Sequence, residues 1–106
     1  MADWDELAAA LSAATGADAA LDRMIAAAFG VEPAEFTGSV GAARAVATGA
    51  LSGWKFHVGY DANGMFPYAA MTLGDRHIEA NAPTVPLSIL KAAVAAKRLA
   101  SPTPTP

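Results

Sequence analysis

Cysteine is absent from the 106 residues of this chain. Neither a disulfide framework nor thiolate chemistry is therefore available, and this absence is typical of proteins of a reducing cytosol. Charged residues make up only 16% of the sequence, and the seven bases form no dense stripe of the kind that neutralises nucleic-acid phosphates. We therefore expect no nucleic-acid partner.

Long apolar runs are also missing. No charge-free run approaches the roughly 20 residues that a membrane span requires. The N-terminal stretch MADWDELAAALSAATG carries acids where a secretory signal carries bases. We therefore expect a cytoplasmic protein that has no membrane partner.

Charge is present but unevenly distributed. Residues 1–35 hold seven acids and one base, whereas residues 36–106 hold three acids and six bases. Mimicry of nucleic-acid phosphates by the acidic half is one interpretation. We prefer solvated helix faces with favourable charges at helix N-termini. The length predicts one domain over residues 1–100, followed by a disordered Pro/Thr tail over 101–106.

Period-2 alternation marks residues 54–80 as the strand-forming part of the chain. The stretch WKFHVGY alternates aromatic or branched side chains with polar or small ones, which predicts a strand with one apolar face. Asn63-Gly64 indicates a hairpin, because both residues tolerate positive φ. A second strand over 65–73 and a third over 76–80 complete a predicted three-stranded antiparallel meander.

The predicted register rests on a four-residue first turn and a two-residue second turn. It separates the side chains into an apolar face and a mixed face, and a one-residue slip would scramble both. Pro67 donates nothing to a ladder, so we expect a bulge or an unpaired position there. The predicted pairs are Tyr60 with Met65, Trp54 with Met71, Leu73 with Arg76, and Met71 with Ile78.

Apolar stripes at helical spacing predict four helices around this meander. Their expected starts are capping residues or a proline in the first turn, and glycine ends the first two. We expect the first helix to follow Asp3 and end at Gly16, and the second to carry a stripe from Leu21 to Phe29 and end at Gly30. The third is expected from Val40 to about Thr48, after Ser39. The fourth is expected to begin near Pro86, with Leu87, Leu90, Ala93 and Val94 buried and Ser88 on the surface. The sequence therefore predicts an α+β fold, an α–β–α sandwich with helices before and after the sheet. Whether a helix covers the mixed face stays open.

The order of these motifs resembles the phage ABA-sandwich domain family, a group of small uncharacterised phage and prophage proteins. The resemblance covers roughly residues 5–99 and implies a three-layer fold, an origin in a phage or prophage, and a location in the bacterial host cytosol. It implies no activity. Val85 precedes Pro86 where the family usually has threonine, so we expect Thr84 to be displaced as a cap. The matching residues are Ala13-Ala14-Thr15-Gly16, Leu21-Asp22, Ile25-Ala26, Phe29-Gly30 and the strand-leading Trp54.

The mixed face holds the candidate binding residues. We expect Lys55 and Glu79 to pair across Ala70, with His57, Tyr68 and Thr72 beside them. One interpretation of these side chains is a cross-strand ion pair of modest worth to stability. The other is a polar patch that touches a ligand or partner, and Phe66 extends it as an exposed aromatic if no helix covers the face. The candidate ligand-binding or partner-binding residues are Lys55, His57, Phe66, Tyr68 and Glu79.

The two histidines of this face invite a metal, but the predicted register separates them. It sets His57 opposite Tyr68 and His77 opposite Thr72, and those partners are about 13 Å apart along the middle strand. Ligand bonds near 2 Å do not allow one ion to be shared at that distance. We therefore predict neither a metal nor a cofactor. The serines lie in no nucleophile context, and the glycines form no phosphate loop, so we also predict no catalytic residues.

Because the sequence predicts no metal, cofactor or catalytic residues, we expect a function in binding. We expect a non-enzymatic accessory protein of phage or prophage type that binds a protein partner, for example to inhibit a host defence system. A homodimer, in which the partner is a second copy, is compatible with this hypothesis. A ligand-binding module that uses the mixed face and a structural or virion-associated component are the alternatives.

Overall fold

The computed structural model describes residues 3–60, 64 and 66–100. Across these residues the chain forms three helices, then a three-stranded antiparallel sheet, and then a fourth helix, which confirms the predicted α+β class. The hairpin turn predicted at 61–63, the strand position of Met65 and the tail at 101–106 lie outside the described residues. The elements are α1 Trp4–Ala13, α2 Ala19–Phe29, α3 Val40–Ala50, β1 Lys55–Tyr60, β2 Pro67–Leu73, β3 Arg76–Asn81 and α4 Val85–Ala100.

Each helix begins at a side chain that accepts a hydrogen bond from a backbone N–H in its first turn. This satisfies one of the donors that a helix N-terminus leaves without an intrahelical partner. The caps at Asp3 and Ser39 confirm the predicted starts. The expected displacement of Thr84 is wrong, because its hydroxyl still accepts the N–H of Leu87. The caps and their donors are Asp3 with Glu6 at 2.9 Å, Asp18 with Leu21 at 3.1 Å, Ser39 with Ala42 at 3.1 Å, and Thr84 with Leu87 at 3.3 Å.

The strands pair in the order β1-β2-β3, and one of the two predicted registers is confirmed. Leu73 pairs with Arg76, as expected from the two-residue second turn. In the first hairpin Tyr60 pairs with Pro67 rather than Met65, so the β1–β2 register is shifted by two residues from the prediction. A shift of two residues preserves which face each side chain occupies, so the separation into an apolar and a mixed face survives.

Pro67 explains the shift. It occupies the first position of β2, where the lack of an N–H is tolerated, and no bulge interrupts the pairing that follows it. The prediction of a bulge or an unpaired position at Pro67 is therefore wrong, because Pro67 pairs with Tyr60. Because the strand begins at Pro67, six residues rather than four connect β1 to β2.

Helix α4 lies between the sheet and the other helices. It packs against β2 and β3 and also against α1 and α3. A helix that is buried on several sides must be apolar all round, and α4 is apolar beyond the predicted stripe, with Ile89 and Ala96 also fully buried. The layers are therefore stacked as sheet, then α4, then α1 with α3, so the sheet is an outer layer of this α+β fold rather than the middle layer of the predicted α–β–α sandwich.

Ser88 illustrates the same point. The sequence predicts it on the helix surface, but its side chain is fully buried and its hydroxyl donates to the carbonyl of Val85 at 2.7 Å. The hydroxyl is thereby satisfied within the helix, so burial leaves no polar group without a partner. Within the described residues no helix combines the length and apolarity that crossing a bilayer requires.

Candidate functional site

The mixed face of the sheet is open to solvent. No described helix packs against the mixed-face side chains, and the helices contact the sheet through its apolar side. Lys55, His57, His77 and Glu79 are exposed, and Tyr68 is half-buried. The question that the sequence left open is therefore answered, because this face is not covered by a helix.

Two hydrogen bonds fix the imidazole rings on this face. Nε2 of His57 lies 2.9 Å from the hydroxyl of Tyr68, and Nδ1 of His77 lies 3.0 Å from the hydroxyl of Thr72. The second ring also approaches a carboxylate, with His77 Nε2 at 3.6 Å from Glu79 Oε2. The His57 ring is therefore oriented by Tyr68 on β2, and the His77 ring by Thr72 on β2 and by Glu79 on its own strand.

Gly59 allows Tyr68 to lie flat across the hairpin. The two residues are directly opposite in the β1–β2 register. A Cβ at Gly59 would lie 3.2 Å from the Tyr68 ring, so the ring occupies the space that a side chain would take. An aromatic ring over a strand glycine shields the exposed backbone, an arrangement that stabilises sheets. Tyr68 is therefore a positioned aromatic wall rather than a mobile surface residue.

These side chains enclose a shallow groove of about 280 Å³. Ala70 forms its floor, since its small side chain is only 8% exposed although no helix covers it. The groove combines the ammonium group of one lysine, one carboxylate, two imidazoles and two hydroxyls. The lining residues are Lys55, Phe56, His57, Tyr68, Ala70, Thr72, His77 and Glu79.

The shifted register changes two predicted contacts. Lys55 pairs with Thr72 rather than flanking Ala70, so the expected ion pair between Lys55 and Glu79 across Ala70 is wrong. His57, instead of Lys55, faces Glu79 across that alanine. The carboxylate of Glu79 lies nearest to His77, two residues along the same strand face.

The predicted distance between the histidines is also wrong. Their partners on β2, Ala70 and Thr72, are two residues apart, about 7 Å rather than about 13 Å. The argument from distance against a shared ion therefore fails. The side-chain positions give a separate test, and within residues 3–60, 64 and 66–100 no group of three or more histidine, aspartate or glutamate side chains is close enough to hold a metal ion.

The groove contains a hydroxyl, an imidazole and a carboxylate in sequence, namely Thr72, His77 and Glu79. Nucleophilic catalysis uses such an order when the base is held by the carboxylate and the reacting atom is shielded from water. Here the carboxylate lies 3.6 Å from the ring, beyond hydrogen-bond distance, and the side chains of His77 and Glu79 are more than half exposed. In this geometry the carboxylate makes no hydrogen bond to the ring, and the ring and the carboxylate both face solvent.

The structure brings together four of the five predicted site residues. Lys55, His57, Tyr68 and Glu79 line the groove, whereas Phe66 precedes β2 and is 49% exposed outside the lining. The prediction places Thr72 in the polar patch but not among the candidate binding residues, and it includes His77 in neither. The period-2 pattern of the second and third strands does place both on the mixed face, so face assignment alone identifies them.

Comparisons of the chain with protein-family models, with curated proteins and with solved structures find no match. The resemblance drawn from the short motifs of residues 5–99 is therefore still a prediction.

Proposed function

We propose that this chain is a small non-enzymatic accessory protein of phage or prophage type, which acts by binding a macromolecular partner through the mixed face. Inhibition of a host defence system is one concrete form of this activity. The observation that carries the proposal is the open groove, in which a positioned tyrosine lies beside cationic, anionic and imidazole side chains. Tyrosine is enriched where protein interfaces are buried.

The shape of the groove favours a macromolecule over a small ligand. Small-molecule sites enclose most of the ligand surface and usually have volumes of about 300–1,000 Å³. This groove has about 280 Å³ and is shallow. A protein partner contacts a broad and gently shaped surface instead, of which the groove would be the centre and Phe66 a part of the rim.

The chemistry of the groove supports binding rather than catalysis. Its titratable side chains are exposed, and the Thr72–His77–Glu79 contact lacks the shielding that an activated nucleophile needs. The phage or prophage part of the proposal is supported by the motif order Ala13 to Gly16, Leu21-Asp22 and Trp54.

Site-specific photo-cross-linking in a bacterial lysate tests the proposal. A photoreactive residue at position 77 should capture a protein that the same residue at Ala27, exposed on α2, does not capture. Two further changes, Tyr68→Ala and Lys55→Glu, should reduce that capture at least about tenfold, as expected when central interface residues are truncated. Arg23→Glu, on exposed α2, is the matched charge reversal and should leave capture unchanged. Equal capture from positions 77 and 27 would contradict the proposed site.

A ligand-binding module is the second candidate, and the convergence of Lys55, His57 and His77 on one groove favours an anionic ligand. Titration with acetate and with inorganic phosphate, followed by NMR, tests this candidate. Saturable shifts confined to the groove residues would support it, whereas weak shifts spread over all cationic side chains would argue against it.

A further inference from the structure

Strand β1 is an edge with little protection. It has a neighbouring strand on one side only, so alternate N–H and C=O groups point away from the sheet. Proteins shield such edges with bulges, proline or charged residues. The pairing of β1 with β2 runs unbroken from Lys55 to Tyr60, without a bulge, and β1 contains no proline. Lys55 is its one charged residue.

The other edge strand is shielded better. Strand β3 carries Arg76 and Glu79 and packs against α4. The ammonium group of Lys91 on α4 also donates to the carbonyl of Asn81, at the end of β3, at 2.8 Å. The described part of the sheet therefore presents β1 as the strand more accessible to pairing.

Tyr60 is anomalous for its position. It pairs with Pro67, which is buried, and lies on the apolar face, yet it is 61% exposed. Phe56 lies on the same face as Tyr60, with Val58 between them. It is half-buried, and the guanidinium of Arg44 lies 5.7 Å from the centroid of its ring. The edge thus carries two aromatic residues at equal distances on either side of Val58.

We propose that β1 pairs antiparallel with β1 of a second copy, with the two-fold axis at Val58, to form a continuous six-stranded sheet. In this register Tyr60 of each copy lies opposite Phe56 of the other, and the aromatic pair forms twice. Cross-strand aromatic pairs stabilise antiparallel sheets. The tyrosine would also join the ring that Arg44 covers.

The arrangement of side chains favours this register over the neighbouring one with its axis at His57. Residues that pair across two strands must lie on the same face of the sheet. In a symmetric pair of identical strands, one residue must therefore lie opposite its own copy, and the axis lies at that residue. An axis at His57 would set the two His57 rings against each other and would place Tyr60 opposite Trp54, which lies outside the strand. The Val58 register avoids both contacts, because it sets each His57 opposite a glycine, Gly59. The occupant is a second copy because β1 supplies both members of the aromatic pair.

The two-fold axis of such a dimer is perpendicular to the sheet. Both mixed faces therefore lie on the same side, and the two grooves become neighbours across the β1 seam. This inference does not depend on the proposed function, since the pairing uses the backbone edge of β1 and the contact between Tyr60 and Phe56 rather than the polar side chains of the groove.

Sedimentation equilibrium over a wide concentration range provides the first test. The wild-type chain should associate to a dimer, and Tyr60→Lys should weaken that association about tenfold, because the aromatic pair is lost twice in a symmetric dimer. Leu99→Lys is the matched control, since it adds the same charge at a residue 50% exposed at the end of α4, and it should leave association unchanged. A wild-type chain that stays monomeric throughout, or equal effects of the two changes, would overturn the proposal.

Cysteine cross-linking tests the register, and the chain offers a clean background because it contains no cysteine. The two Cα atoms of position 58 would be about 5 Å apart in the dimer, within disulfide reach, whereas those of position 57 would be about 8 Å apart and beyond it. Val58→Cys should therefore form a disulfide dimer under mild oxidation, and His57→Cys should form much less. Equal or reversed yields would overturn the Val58 register.

Discussion

Thr37 is the side chain on which the junction between α2 and the segment leading to α3 depends. It is 1% exposed, its hydroxyl and its backbone N–H both donate to Oδ1 of Asp22, at 2.7 and 2.8 Å, and the same hydroxyl accepts the N–H of Asp18 at 2.8 Å. Thr37→Val keeps the shape but removes the hydroxyl, so the N–H of Asp18 loses its acceptor and Oδ1 of Asp22 keeps only the backbone N–H of residue 37. We expect the free energy of unfolding to fall by about 1–3 kcal/mol, measured by urea denaturation.

Thr48→Val provides the control for this change. Thr48 is exposed and its hydroxyl donates only to backbone carbonyls of its own helix, at Arg44 and Ala45. Its replacement should change the free energy of unfolding by less than about 0.5 kcal/mol. Similar losses for both variants would show that the Asp22 contact contributes nothing specific.

The Asp22 contact also shows where reasoning from sequence stops. The α2 stripe correctly predicts that Leu21 and Ile25 are buried, and Asp22, next to Leu21, is not part of that stripe. The position of Thr37, 15 residues away, is set by how the connector folds back, and no local pattern reports that. Period and capping are local signals, whereas a side-chain contact between distant segments is not.

Helix ends and interiors in this fold make opposite demands on glycine. Gly30 ends α2 in the left-handed region with φ of +67°, whereas Gly49 lies inside α3, where an added Cβ would meet no neighbouring atom within 4 Å. Gly30→Ala should destabilise the protein by about 1 kcal/mol because of strain, and Gly49→Ala should stabilise it by about 0.5–1 kcal/mol. Thermal unfolding of the two variants should therefore shift in opposite directions, and shifts of the same sign would contradict these backbone conformations.

The strands show which parts of a sheet can be predicted from sequence. The faces are predicted correctly for Lys55, His57, Tyr68 and Glu79, because the side-chain period of two is a property of each strand alone. The partners across β2 and β3 are also predicted correctly, but those across β1 and β2 are not, because the β1–β2 offset depends on where the second strand begins. Pro67 provides that information, but as the start of a strand rather than as a bulge within one. The groove is therefore predicted on the right face with the wrong neighbours.

The whole molecule is held together through α4, which contacts the sheet and the α1 and α3 layer alike. The stripe from Leu87 to Val94 predicts one buried side, and the apolar residues outside that stripe bury the others. Because both layers bury their apolar surface against the same helix, neither should remain folded when that helix loosens. The expected consequence is a single cooperative unfolding transition.

The two tryptophans allow this cooperativity to be measured, because they lie in different layers. Trp4 in α1 stacks edge-on with Phe29 at a centroid distance of 5.1 Å, and Trp54 immediately precedes β1. In Trp4→Phe and Trp54→Phe backgrounds, Leu90→Ala should lower the free energy of unfolding by the same amount, about 2–5 kcal/mol, because the fully buried leucine leaves a cavity. Leu99→Ala, at a half-exposed position, should lower it by less than about 0.5 kcal/mol in both. If the Trp54 signal changed at a lower denaturant concentration than the Trp4 signal, the sheet would be unfolding without the helices, and α4 would not couple the two layers.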